Sequence, residues 1–186
     1  MNAEAKLSKK NKKQQPKSSA NEITPEVEVA PWGQLKWLAL AFVVIILDQW
    51  TKNLASSSLQ LYNPVPVFQH FNFTLAHNYG AAFSFLANES GWQRWFFTGI
   101  AVTVSIVLCI WLKRMNKSET WVAIAVALIL GGAIGNVYDR ILLGYVVDFL
   151  DFYWDGYHFP AFNIADSAIT VGAVMMGIDV IKNPTK

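Results

Sequence analysis

The chain has 186 residues, of which 53% are hydrophobic and only 15% charged, with eight Trp and twelve Phe. A soluble domain is about 45–50% apolar and about 25% charged, so the surplus points to lipid rather than to a larger soluble core. The single cysteine, Cys109, excludes a disulfide framework and a Cys-rich metal centre, while the net charge of +2 implies nothing by itself and only its distribution is informative.

Residues 1–33 form the first region, rich in Lys, Gln, Ser, Pro and Glu and without periodicity. It is expected to be a disordered cytoplasmic tail, its lysines (Lys6, Lys9, Lys10, Lys12, Lys13, Lys17) solvated near anionic lipid. No aromatic residues interleave these lysines, so no nucleic-acid partner is expected.

Four apolar segments follow, at Leu35 to Asn53, Trp95 to Leu112, Trp121 to Leu143 and Phe162 to Ile181. Each approaches the ~20 residues a spanning helix needs. Trp37, Trp50, Trp95, Trp111 and Trp121 sit near segment ends, as an interfacial aromatic belt would place them. The Lys-rich start followed by "LASSS" resembles a cleaved signal peptide, but polar residues intervene before the small ones. The fold class is therefore a mainly α membrane protein, with one unit of four transmembrane helices over residues 34–182. Cys109, inside the second segment, is a packing residue.

Lys and Arg set the expected orientation. They collect before the first segment, between the second and third (Lys113, Arg114, Lys117) and at the C-terminus (Lys182, Lys186). By the positive-inside rule both termini are cytoplasmic, and links 55–92 and 144–160 face outward. In the first link, "VPVFQHFNFTLAH" is rich in β-formers and predicts a small sheet on the outer face. "NYGAAFSFL" then turns back. "VVDFLDFYWDGYHF", in the second link, is aromatic and acidic and is expected to lie along the interface. His70, His77 and His158 have no ligand-like spacing, and no metal or other cofactor is inferred.

The third segment ends on "GGAIGNVYDR", where Asn136, Asp139 and Arg140 interrupt the hydrocarbon. At ~1.5 Å per residue, Asp139 stands about 27 Å from Trp121, near the far edge of the bilayer core. Asp166 stands about 6 Å from Phe162 on the returning segment, so both aspartates reach a similar depth on the outward side. Ionisable groups inside a membrane face a protein interior or a wet cavity. Asn136 lies three residues before Asp139, and Asn163 three before Asp166, within reach of the same helix faces. Asp48 and Lys52 form an i,i+4 pair in the first segment. Gly131 and Gly135 are spaced for close helix packing. Each polar residue also has a plain reading: a structural ion pair for Asp48–Lys52, an interfacial anchor for Arg140, a helix cap for Asp139 or Asp166.

Two facing carboxylates share one proton, so one can act as base and the other as acid. That suits an aspartyl hydrolase. A transporter or proton relay is the alternative from another class, but its acids should line the whole span rather than gather at one face. A metal site built on Asp139, Asp166 and the acids of residues 148–155 is a third, suited to Mg²⁺ or Ca²⁺ and separable by a chelator.

Five stretches in order, "DQWTK" from Asp48, "NYGAAFSFL" from Asn78, "GGAIGNVYDR" from Gly131, "VVDFLDF" from Val146 and "FNIADSAI" from Phe162, resemble the lipoprotein signal peptidases (signal peptidase II). The resemblance runs from about residue 32 to 181. It implies an aspartic endopeptidase of the bacterial inner membrane, acting near the outer leaflet. That enzyme would remove signal peptides from diacylglyceryl-modified prolipoproteins, cutting just before the lipidated cysteine. It implies Asp139 and Asp166 as the catalytic pair, with Asp48, Lys52, Asn78, Asn136, Arg140 and Asn163 lining the site. It also implies inhibition by globomycin-type cyclic peptides. A self-contained site of this kind leads to the expectation of a monomer. The long Lys-rich tail departs from the family pattern, and none of the five stretches depends on it.

Overall fold

The computed structural model describes residues 31–80 and 91–184. The expectations for the tail before residue 31 and for the turn beyond Gly80 lie outside the described residues. Residues 31–33, assigned above to the tail, already form a turn.

Long uninterrupted apolar runs leave the backbone no water to bond with, so each closes into a helix. Helix α1 is Leu38–Ser58, entered through a 3₁₀ turn at Leu35–Trp37; α2 is Trp92–Arg114, α3 is Thr120–Leu142 and α4 is Ile164–Lys182. All four are long and apolar enough to cross a membrane. Helix α1 runs five residues past its expected end at Asn53. Its last turns rise to meet the sheet, where Ala55 packs with Leu75, Val147 and Phe149.

Helix α3 is the axis of the bundle. More than half of its apolar window is buried (56%), against 28% for α1, 17% for α2 and 11% for α4. Its sequence explains this position. Lipid tails give helices no hydrophobic reason to associate, so close packing between small residues does the work. Ala123, Ala125, Ala127 and Gly132 line its buried faces. A Cβ at Gly131 would stand 2.7 Å from the Ala41 carbonyl oxygen, and one at Gly135 would stand 2.6 Å from Asp48 Oδ2. The two glycines let α1 approach until its carboxylate touches the α3 backbone.

At the end of the bundle away from the sheet, the segment that enters α1 is clasped to the α2–α3 link. Gln34 is buried; its backbone amide donates to the Leu112 carbonyl (2.9 Å) and its side chain to the carbonyls of Asn116 (2.8 Å) and Lys117 (2.9 Å). Gly33 adopts φ +53°, and a Cβ there would run into the Lys113 carbonyl. Met115 and Leu112 are sealed beneath.

At the opposite end lie four antiparallel strands in the order β1 (Val65–Phe68), β2 (Phe71–Asn78), β3 (Val146–Trp154) and β4 (Tyr157–His158). The sheet predicted from the first link is present as β1 and β2. The second link supplies β3 and β4, which extend the same sheet, a strand pairing the sequence did not predict there. The reason is period two. Val147, Phe149 and Asp151 point one way along β3, and Asp148, Leu150 and Phe152 the other. From Val146 to Asp151 both faces are largely covered, so neither reads as polar there. Phe71 pairs with Phe152, Phe73 with Leu150 and Ala76 with Asp148, with an irregularity between Phe73 and Ala76. Phe71, Phe152 and Phe162 stack in series, with centroids 4.8 and 5.9 Å apart.

Candidate active site

The polar end of α3 meets α1 through one buried ammonium. Lys52 Nζ lies 2.8 Å from Asp48 Oδ2 and 3.0 Å from Asp139 Oδ2, and donates to Asn136 Oδ1 at 2.9 Å. These three side-chain acceptors match the three donors of an ammonium. All four residues are buried. Asp48 Oδ1 accepts from the Ala165 amide of α4 (2.9 Å). Asp139 Oδ1 accepts from Gln49 (2.9 Å), and its Oδ2 also accepts from the Val147 amide (3.1 Å). Both Asp139 oxygens are therefore occupied, one of them by a cation.

A second carboxylate arrives from the sheet. Asp148 is 2% exposed. Its Oδ1 accepts from Asn163 Nδ2 (2.7 Å) and its Oδ2 from Asn78 Nδ2 (3.1 Å). Side-chain amides, not cations, hold it. Burial, and then the charge of Asp166, push its carboxyl up to about 7.

Asp166 sits in the first turn of α4. Asn163 is the N-cap, its Oδ1 accepting from the Asp166 amide at 2.9 Å. The fully buried Asn163 thus caps the helix that carries Asp166 while its amide group binds Asp148, the Val147 carbonyl (3.2 Å) and Asn136 (3.2 Å). Asn136 donates to Asp166 Oδ1 (2.8 Å). Two asparagines therefore tie the two carboxylates together. Over them, Arg140 donates to the Gly80 carbonyl (3.1 Å) and holds its guanidinium 5.8 Å from the centre of the Phe97 ring. Asn78 Oδ1 accepts from the Gly80 amide (3.0 Å), so α3 and the sheet both grip the same residue.

The eight residues singled out in the sequence all lie in this one network. The pairing within it differs from the expected one. Asp139 is the partner of Lys52, with Lys52 and Asn136 standing between it and Asp166 in the chain of hydrogen bonds. The carboxylate on which the charge of Asp166 acts is Asp148, which the sequence places within "VVDFLDF" and which entered only the metal alternative, among the acids of residues 148–155. Its signal was available: an acid on a strand of β-branched and aromatic residues, on the face opposite to Val147 and Phe149. Gln49 was also missed; a neutral amide beside Asp48 gave no cue that it would reach Asp139.

Paired carboxylates held by amides in a buried site can exchange one proton between base and acid roles. Among the described residues no group of three His, Cys, Asp or Glu side chains is arranged to hold a metal ion. The ammonium of Lys52 stands where a cation between Asp48 and Asp139 would sit.

The chain is similar to known membrane peptidases throughout this region. The family described as signal peptidase (SPase) II matches residues 40–182. The lipoprotein signal peptidase of Pseudomonas putida is 55% identical over 161 residues, which cover 86% of this chain and 94% of that protein. That of Pseudomonas aeruginosa is 54% identical, over 84% of this chain and 94% of its own length. A solved structure described as a bacterial membrane enzyme, determined by the in meso method at 2.3 Å, superposes with a TM-score of 0.72 and 34% identity, covering 81% of this chain and 90% of that one. With its four apolar helices and these relatives, the chain is a multi-pass bacterial membrane protein and belongs to the signal peptidase II family.

Proposed function

We propose that Asp148 and Asp166 are the catalytic pair with which this peptidase cuts diacylglyceryl-modified prolipoproteins just before the lipidated cysteine. Removal of signal peptides from prolipoproteins is the activity of the family. One observation carries the choice of residues. Asp148 is buried, feels the charge of Asp166 and is held by neutral amides, whereas Asp139 is ion-paired to Lys52.

The chemistry follows from one shared proton. The ionised carboxylate takes a proton from water as the water oxygen attacks the scissile carbonyl carbon. The protonated partner donates to the carbonyl oxygen, giving a neutral tetrahedral diol. Collapse returns the oxygen's proton to one carboxylate, while the other delivers its proton to the leaving amide nitrogen. The carbon–nitrogen bond breaks, and a carboxylic acid and an amine leave. The pair titrates as a unit, so its two apparent pKa values belong to neither residue alone.

Asn163 and Asn136 orient the pair, and Asn78 supports Asp148. Arg140 and Gly80 form a roof for the substrate backbone. Asp48 and Lys52 fasten α1 to the site. The distribution of Lys and Arg supports cytoplasmic termini and a site near the outer leaflet, where a lipidated cysteine sits. The enzyme acts as a monomer on this reading, and globomycin-type peptides would occupy the pair.

The test is cleavage of a diacylglyceryl-prolipoprotein by purified protein in the presence of EDTA, with products identified by mass. Wild type is expected to release a product beginning at the lipidated cysteine. Asp148→Asn and Asp166→Asn are each expected to lose about 10³-fold in kcat. Retained activity in either folded variant would end the assignment. Cleavage that fails in EDTA and returns with Mg²⁺ would favour a metal mechanism.

A further inference from the structure

Asp139 is held from α1 by Lys52 and Gln49, and what it holds in turn is the strand that carries Asp148. It lies in the last turn of α3, where its backbone carbonyl accepts from the Leu143 amide (2.7 Å). Gly144, at φ +87°, then turns the chain into β3. Three residues later the Val147 amide comes back to Asp139 Oδ2 at 3.1 Å. Val147 is 3% exposed, its side chain packed with Ala55, Leu75 and Phe149. Adjacent side chains of a strand point to opposite faces, so fixing the face of Val147 fixes the direction of Asp148. The carboxylate making this bond is itself immobilised by Lys52 (3.0 Å) and Gln49 (2.9 Å), both from α1.

We propose that Asp139 is a positioning residue: its carboxylate, pinned by Lys52 and Gln49, holds the Val147 amide so that the Asp148 side chain meets Asp166. The inference rests on the reading of Asp148 and Asp166 as the catalytic pair. It gives the α1 cluster a place in catalysis without a role in proton transfer.

The charge count makes the idea testable. Lys52 serves two carboxylates, Asp48 and Asp139. Asp139→Asn leaves Asp48–Lys52 as a neutral pair and keeps an oxygen for the Val147 amide, so it should fold. Asp139→Leu removes both the charge and the acceptor. Val147→Pro removes the donor and leaves Asp139 intact.

The experiment measures kcat, KM and the pH profile of kcat for the purified variants on a diacylglyceryl-prolipoprotein. Asp139→Asn is expected to stay within about tenfold of wild type, the scale of one weakened hydrogen bond. Asp139→Leu and Val147→Pro are each expected to lose about 100-fold in kcat at unchanged KM, the scale of a misplacement near 1 Å. Their pH profiles should be displaced, and the double variant should lose no more than either single one. The proposal is overturned if Asp139→Asn drops to the background of Asp148→Asn, which would make Asp139 a reacting group. It is also overturned if Asp139→Leu and Val147→Pro keep wild-type kcat, or if their pH profiles superimpose on wild type. Should Asp139→Leu fail to fold, Val147→Pro and Asp139→Asn decide the matter. Activity in Asp148→Asn would instead break the pair assignment, a distinguishable failure.

Discussion

Asp148→Asn should abolish cleavage and at the same time make the protein more stable at alkaline pH. The wild-type carboxyl is pushed from 3.8 to about 7 by burial and by Asp166. Between those two values the folded protein binds a proton that the unfolded chain has lost, so stability falls as pH rises through this window. At ~1.4 kcal/mol per pH unit, the burden above pH 7 reaches about 4 kcal/mol. An asparagine carries none of it. Its amide, however, offers one oxygen to two donors, Asn163 and Asn78, and turns an NH₂ toward one of them. An imperfect pairing of that kind costs about 1–3 kcal/mol. The net expectation at pH 8 is a gain of about 1–3 kcal/mol. Near pH 4 the burden has vanished and only the pairing cost remains, so the variant should be the less stable of the two. Thermal unfolding in detergent, followed by fluorescence of the eight tryptophans, reads both midpoints across pH. A stability difference that does not change sign or size between pH 4 and 8 would refute the reasoning.

Asp151 supplies the opposite case. Burial pushes its carboxyl up, but hydrogen bonds from Thr74, His158 and Asn72 outweigh it and hold the group below the usual range. Its contribution is present above the usual carboxylate pKa and is lost as pH falls through the lowered one. Asp151→Asn should therefore lower the midpoint at pH 7 and converge on wild type in acid; an equal loss at both would count against this. Gly135→Ala places a Cβ 2.6 Å from Asp48 Oδ2 and should displace α1 from the site, lowering both midpoint and kcat; an unchanged kcat would show that α1 is not coupled to the chemistry. Deleting residues 2–30 should leave kcat unchanged, whereas deleting 2–34 removes the Gln34 clasp and should lower the thermal midpoint. Equal midpoints for the two truncations would contradict the clasp.

The spans were legible because hydrocarbon allows so little else: uninterrupted apolar runs with aromatic ends become helices, and their ends were placed within a few residues. The polar end of α3 was legible for the same reason, since Asn136, Asp139 and Arg140 violate the local rule. What depth counting could not supply was direction around the helix. That count puts Asp139 and Asp166 at one level, but α1 packs close enough at Gly135 for Lys52 to capture Asp139. The i,i+4 spacing revealed Lys52 as a partner of Asp48, not as a bridge to a second carboxylate. Asp148 was hidden by its setting. Its part of the strand is buried on both faces and paired to a segment some 70 residues away in the chain, and long-range strand pairing leaves no periodic mark in composition.

The central claim is that the carboxylate from the sheet, rather than the one at the end of α3, works with Asp166. The most direct test is the ratio of kcat values for Asp139→Asn and Asp148→Asn, measured side by side on one diacylglyceryl-prolipoprotein. The account predicts that Asp139→Asn is faster by about 100-fold or more, with Asp148→Asn at background. A faster Asp148→Asn, with Asp139→Asn inactive though folded, would contradict it.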